Sequence, residues 1–279
     1  MHPTRREPRV KIVRTETGTG GEMRTKREEI VPLLTGHARG AEPEGYWDMS
    51  GSTGWEMAPP EGSQPSRFTV MYGAIRGFIE PFEALDAEAA KEQAGGDDDK
   101  GGVYFYPFNH QFLPIGDGDD DGDLNTANFE EKMRDFIAKY FDASGHPHGG
   151  TEIMSAIAAG DAHYMGEFGP GGDNETPRTG RPIRARTVWT DGELTDSGAF
   201  GTYMAAAAID PKTGLGVRAE WDEVWAVAVF GHGDAMKATV RQYQTLTARH
   251  PNIHVYVFDQ VKNPAEVAED MAIAVLPQD

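Results

Sequence analysis

The chain has 279 residues, 38% of them hydrophobic and 10% aromatic, so it can bury one sizeable core and is not a disordered polymer. Its formal net charge of −19 disfavours nucleic acid and anionic membranes as partners, and no segment approaches the roughly 20 apolar residues that span a bilayer. The absence of cysteine excludes disulfides and thiolate metal sites, so any metal ion must be held by oxygen or imidazole.

The first forty residues differ from the rest of the chain in charge. They carry a net charge of +4, whereas the remaining residues carry −23. Residues 1–29 lack sustained periodicity, and residues 30–34 form a short apolar patch. We expect an extended basic arm over 1–40, with its patch packed on a sheet edge, and one folded domain over 41–279. A solvated tail and an arm docked on an acidic surface both fit this charge. Because the arm lacks the apolar run of a secretory signal, we expect a cytoplasmic protein.

Strand and helix patterns alternate through the first half of the domain. Tyr46-Trp47 indicates a strand that ends at Asp48. Because the preceding residues 41–45 are rich in Glu, Pro and Gly, either this strand is unusually short or residues 30–34 supply part of it. A helix follows from Ser66, since apolar residues recur at steps of three and four. The run 103–108 is typical of a strand, and further helices are predicted from Phe129 to Phe141 and from Thr151 onwards.

The second half continues the alternation. A strand over 186–190 leads into Asp191, and helices are predicted over 197–208, 236–249 and 264–275. The apolar run 224–230 indicates a buried parallel strand, and 253–258 a further strand. The pattern predicts a doubly wound α/β fold, with a mostly parallel central sheet flanked by helices.

Three polar segments lie at predicted strand ends or helix starts. Asp48, Ser50 and Ser52 form an Asp-x-Ser-x-Ser sequence, Thr151 follows two glycines, and Asp191 follows a strand. In this order they resemble the von Willebrand factor A-type domain with its metal-ion-dependent adhesion site, over roughly residues 45–275. The resemblance implies that Ser50, Ser52 and Thr151 bind a divalent cation, while Asp48 and Asp191 hold it through bound water.

The chemistry of these side chains favours the same site. Mg²⁺ prefers oxygen ligands in octahedral array, and hydroxyls on both sides of Gly51 can face one ion. Mostly neutral ligands leave the ion able to accept a carboxylate from a partner. We expect Mg²⁺, with Mn²⁺ and Ca²⁺ as alternatives. The competing interpretation is that Ser, Thr and Asp here only cap helices and turns.

Two further groups of residues invite a metal-site interpretation. Asp117, Asp119 and Asp121 resemble the first half of an EF-hand loop, but Asn128 stands where that loop has its bidentate Glu. A weak Ca²⁺ site and a solvated acidic loop over 117–123 both fit. The histidines do not match a zinc-site spacing, and we expect them to be loop or strand-end residues near Thr151. These are His110, His146, His148, His163 and His232.

The resemblance implies a metal-dependent protein-interaction module rather than an enzyme. Its partner would be a protein that presents an Asp or Glu carboxylate to the bound ion. One alternative is a structural subunit of a large assembly, with the arm lying along a neighbour. A metal-dependent hydrolase is a further alternative, disfavoured because no general base is evident beside the motif.

Overall fold

A computed structural model describes the chain in segments, and every structural statement below concerns those segments. They are residues 16–17, 23–24, 34–35, 41–54, 65–92, 102–117, 122–192, 194–207, 218, 220–231, 238–243, 253–258, 263–275 and 277–278.

The fold is built on a six-stranded sheet, and the described residues also form two small two-stranded sheets. In chain order the strands of all three sheets are β1 Glu16–Thr17, β2 Met23–Arg24, β3 Leu34–Thr35, β4 Ala41–Asp48, β5 Val103–Phe108, β6 Asp123–Leu124, β7 Ile183–Thr190, β8 Glu223–Phe230, β9 Ile253–Phe258 and β10 Pro277–Gln278. The central sheet has the order β6-β5-β4-β7-β8-β9, and only β6 runs antiparallel to its neighbour among these strands. The predicted α/β fold with a mostly parallel sheet is therefore confirmed.

Helices cover both faces of this sheet. They are α1 Arg67–Glu92, α2 Phe129–Tyr140, α3 Met154–Phe168, α4 Ser197–Ala205 and α5 Pro264–Val275, with further helical residues at 238–243. Side chains of α1, α2 and α5 pack on one face, and those of α3, α4 and 238–243 pack on the other. Because both faces are covered, β7 and β8 are buried along their whole length. Among the described helices, none is both long and apolar enough to cross a membrane.

The first strand of the sheet is longer than the sequence predicts. It begins at Ala41, so the expectation of an unusually short strand at Tyr46-Trp47 is wrong. Pro43 is tolerated because residues 41–43 pair with β7 alone, outside the register that β4 shares with β5. Gly45 allows close packing, since a Cβ there would collide with the Phe105 ring.

A buried ionic network joins this strand to the helices of one face. Arg184 donates to Glu44 at 2.7 Å and to Asp161 of α3 at 2.7 Å. Arg186 donates to Glu223 at 2.8 Å, and its guanidinium also contacts Asp161 at 3.0 Å. Burial opposes ionisation of Asp161 and Glu223, yet the nearby Arg186 lowers the pKa of both carboxyls. The charges are thereby paired within the apolar layer.

Parts of the N-terminal arm also pair as strands. Leu34–Thr35 lies parallel to Pro277–Gln278 in a separate two-stranded sheet, and β1 pairs with β2 in antiparallel fashion. Leu34 thus pairs with the C-terminal segment in a sheet separate from the central one, while residues 30–33 of the predicted apolar patch lie outside the described residues. The division into a 1–40 arm and a 41–279 domain stays a prediction.

Candidate metal centre

The candidate centre lies at the carboxyl end of the two middle strands. β4 ends at Asp48 and its parallel neighbour β7 ends at Thr190, with Trp47 and Trp189 in register. The hydroxyl of Thr190 donates to Asp48 Oδ2 at 2.7 Å. Parallel strands therefore bring Asp48 and the segment that begins at Asp191 to one edge, where ligands of open α/β sheets bind.

A tight turn after β4 carries the two serines. The other oxygen of the Asp48 carboxylate accepts the Ser50 amide at 2.8 Å, and the Thr53 hydroxyl donates to the Ser50 carbonyl at 2.7 Å. These bonds bend the chain so that the Ser50 and Ser52 hydroxyls lie 3.2 Å apart. Ser52 donates in turn to Asp191 Oδ1 at 3.0 Å. Asp48, Ser50, Ser52 and Asp191 are thus joined by hydrogen bonds.

Thr151 lies on the adjoining loop. The Gly51 amide donates to the Gly149 carbonyl at 3.2 Å, so this loop abuts the serine turn. The Thr151 carbonyl accepts both the amide and the hydroxyl of Thr195 at 2.9 Å, which ties it to the segment after Asp191. Gly149 has φ +100°, a conformation that favours glycine. The loop that carries Thr151 therefore lies beside the serine turn and is bonded to the segment after Asp191.

The two carboxylates of the centre lie in an unfavourable environment for negative charge. Burial raises the pKa of Asp48 to about 7, and the nearby charge of Asp191 adds to the effect. Burial also raises the pKa of Asp191, against the opposing influence of Arg67. Two buried carboxylates that repel each other are stabilised when a cation lies between them.

Arg67 supplies a positive charge that the sequence does not predict for this centre. Its Nη1 lies 2.6 Å from Asp191 Oδ2, and the side chains are 11% and 0% exposed respectively. Arg67 is the first residue of α1 and stands 124 positions before Asp191. The only sequence signal is a basic residue at the start of the helix that follows the serine turn, and that signal does not identify its partner.

The donor set fits a small, hard divalent cation. Two carboxylates and the hydroxyls of two serines and one threonine offer oxygen alone, the atom type that Mg²⁺ prefers. Within the described part of the chain, no three His, Asp or Glu side chains form a group that could hold a metal ion. A cation at this centre would therefore need hydroxyl oxygens in addition to the two carboxylates.

The histidines have separate surroundings. His163 lies within α3, so the prediction that it is a loop residue is wrong. The His163 ring centroid is 3.9 Å from that of Tyr104, and His163 Nδ1 is 3.1 Å from the Tyr106 hydroxyl. His110, His146 and His148 lie in loops, as expected, and His232 lies outside the described residues.

Part of the acidic loop can also be placed. Asp117 forms an exposed ion pair with Lys139 at 3.0 Å, whereas Asp119 and Asp121 lie outside the described residues. The Asn128 amide donates to the Asp123 carbonyl at 3.1 Å, and its oxygen accepts the Asn125 amide at 2.9 Å. Asn128 thus stabilises the turn before α2, and Ca²⁺ binding by residues 117–123 stays a prediction.

Comparison with known proteins gives no family membership. No protein-family model and no curated protein sequence matches the chain. Among solved structures, a D319A mutant of the PilB minor pilin from Streptococcus sanguinis aligns at TM-score 0.47 and 9% identity, and the unmutated pilin at 0.46 and 12%. Each alignment covers 85% of this chain and 61% of the pilin, so the chain spans under two thirds of it. An aerotolerance-related membrane protein from Bacteroides fragilis aligns at 0.47 and 15% identity, over 85% of this chain and 98% of that one.

Proposed function

We propose that this chain is a protein-interaction module that binds a divalent cation, Mg²⁺ first, through Asp48, Ser50, Ser52, Thr151 and Asp191. Ser50, Ser52 and Thr151 are the direct ligands, and the two aspartates act through water, as the von Willebrand factor A resemblance implies. The observation that carries the proposal is the hydrogen-bonded set of Asp48, Ser50, Ser52 and Asp191 at the carboxyl edge of the sheet.

The partner follows from the charge of the ion and of the chain. A divalent ion held mainly by neutral oxygens supplies a Lewis-acidic position that an Asp or Glu carboxylate of a partner protein fills. The rest of the surface belongs to a chain of net charge −19, which repels acidic proteins at longer range. A suitable partner therefore presents one carboxylate within a neutral or basic surface.

The hydrogen bonds that Asp48 and Asp191 accept favour a binding role over a catalytic one. Asp48 accepts hydrogen bonds from Thr190 and from the Ser50 amide, and Asp191 accepts them from Ser52 and Arg67. Carboxylates engaged in this way position neighbouring groups and are poorly placed to take a proton from a water nucleophile. We also propose a cytoplasmic location, and a structural subunit of a large assembly is the alternative function.

Titration calorimetry with Mg²⁺ and Mn²⁺ tests the site. Asp191→Ala should weaken binding by about 10- to 100-fold or more, the loss typical of removing an outer-shell group, while circular dichroism stays that of the unaltered chain. Asp173→Ala is the matched control, because Asp173 is exposed and lies in the loop after α3. Equal affinities in the unaltered chain and in a correctly folded Asp191→Ala variant would refute the site.

A further inference from the structure

The Arg67–Asp191 ion pair occupies the centre at which the divalent cation is proposed to bind. One oxygen of the Asp191 carboxylate accepts a hydrogen bond from Ser52, and the other accepts one from Arg67. A guanidinium is therefore already bound to a carboxylate that the proposed ion requires. The inference developed below rests on the proposed function, because it concerns the same centre.

The number of charges at the centre makes the Arg67 guanidinium and the divalent ion compete. Asp48 and Asp191 carry two negative charges when ionised, and Arg67 contributes one positive charge in direct contact with Asp191. A divalent ion alone balances the two carboxylates, whereas the ion together with Arg67 leaves one buried positive charge in excess. Like charges that share one carboxylate repel strongly where water is excluded.

The position of Arg67 allows it to leave. Its backbone is fixed at the start of α1, where the Ser66 hydroxyl accepts the Thr69 amide at 3.1 Å. Its side chain is 11% exposed, so it borders solvent, and a long side chain can move its charged end into water while its stem stays in place. Asp191 is fully buried and stays with the centre.

We propose that Arg67 is a built-in cation which competes with the divalent ion for Asp191, and that ion binding releases its guanidinium from the centre. Arg67 thereby determines how tightly the centre binds metal: it stabilises the two carboxylates in the metal-free protein and weakens the affinity for the ion. Without the ion, Arg67 neutralises part of the negative charge of the centre.

Arg67→Gln in the full chain tests this competition, with Mn²⁺ alone as the calorimetric probe. The variant should bind Mn²⁺ at least about tenfold more tightly, because one neighbouring charge shifts an ionisation equilibrium by one to three powers of ten. Its thermal midpoint should fall without metal and recover with Mn²⁺. Arg76→Gln is the matched control, since Arg76 lies on the same helix in an exposed pair with Glu130 and should leave affinity unchanged.

Each outcome separates this inference from the proposed function. If the unaltered chain binds Mn²⁺ and Arg67→Gln binds it with equal or lower affinity, the competition is overturned and the metal site stands. Binding by Arg67→Gln alone supports the competition and shows that Arg67 blocks the centre in the unaltered chain. Absence of binding in both refutes the metal site and the competition together.

A second measurement needs no substitution, in case Arg67→Gln does not fold. In nuclear magnetic resonance spectra of the metal-free chain, the guanidinium protons of Arg67 should exchange slowly, because Asp191 holds them in a buried pair. Saturating Mg²⁺ should abolish that protection. Continued protection of Arg67 at saturating Mg²⁺ would overturn the competition.

Discussion

At the scale of single residues, the centre depends on how its carboxylates are held. Asp48 is fully buried, and both of its oxygens accept hydrogen bonds from neighbouring donors. The two oxygens of Asp191 accept hydrogen bonds from the Ser52 hydroxyl and the Arg67 guanidinium respectively. Such bonds fix the directions of the carboxylates before any ion binds, which lowers the entropic cost of assembling a coordination shell.

The sequence predicted four of these side chains to lie together, and the structure places them so. These four could be foreseen because Asp48, Ser50 and Ser52 form an Asp-x-Ser-x-Ser sequence and Asp191 follows the strand β7. Arg67 could not be foreseen, since its contact with Asp191 joins positions 124 residues apart and no local pattern encodes that pairing.

His254 offers a residue-level prediction on stability and pH. It is 5% exposed, and burial lowers its pKa from 6.5 to about 4, so the unfolded chain binds the proton more readily between these values. The free energy of unfolding should therefore fall as pH drops from about 6.5 towards 4, and His254 should account for about 3 kcal/mol of this loss at most.

Chemical denaturation across that pH range measures the effect. His254→Gln removes the titrating group and should flatten the stability curve relative to the unaltered chain, whereas substitution of the exposed His146 by Gln should preserve its slope. Comparison with these variants separates His254 from the carboxyl groups that titrate in acid. Parallel curves for the unaltered chain and His254→Gln would contradict the prediction.

At the scale of elements, the sheet and helix α3 approach each other closely around a buried ionic network. The network lies on the face of β4 and β7 opposite α1, and it draws Asp161 of α3 towards Arg184 and Arg186. It also explains why the start of β4 could not be read from the sequence. Glu44 has low strand propensity, yet it is buried because Arg184, 140 residues away, pairs with it.

Two glycines of α3 test this close approach. At Gly160 an added Cβ would collide with the Tyr46 hydroxyl, whereas at Gly166 of the same helix it would meet nothing within 4 Å. Gly160→Ala should therefore destabilise the fold by about 1–3 kcal/mol through overpacking. Gly166→Ala should stabilise it by about 0.5–1 kcal/mol, because alanine restricts the unfolded chain more than glycine does.

Urea denaturation of the two variants gives the comparison directly. Both substitutions add one methyl group to the same helix, so a difference in sign isolates the contact with the sheet. Equal free energies of unfolding for Gly160→Ala and Gly166→Ala would show that α3 does not pack on β4 as closely as described.

At the scale of the whole molecule, the sheet edge and the net charge act together. The α/β pattern was predictable from alternating strand and helix periods, and the sheet brings polar segments distant in sequence to one edge. The chain carries a net charge of −19, so a cation at that edge would locally reverse the sign of the electrostatic potential. This contrast would direct an acidic group of a partner to one position on the surface.

Anomalous scattering from Mn²⁺ in crystals of the full chain tests the central claim most directly. We expect one strong peak at the carboxyl edge of β4 and β7, about 2.0–2.4 Å from the hydroxyl oxygens of Ser50 and Ser52. The guanidinium of Arg67 should then lie away from Asp191. A Mn²⁺ peak confined to residues 117–123, or none at the sheet edge at Mn²⁺ concentrations that saturate the chain in solution, would contradict the account.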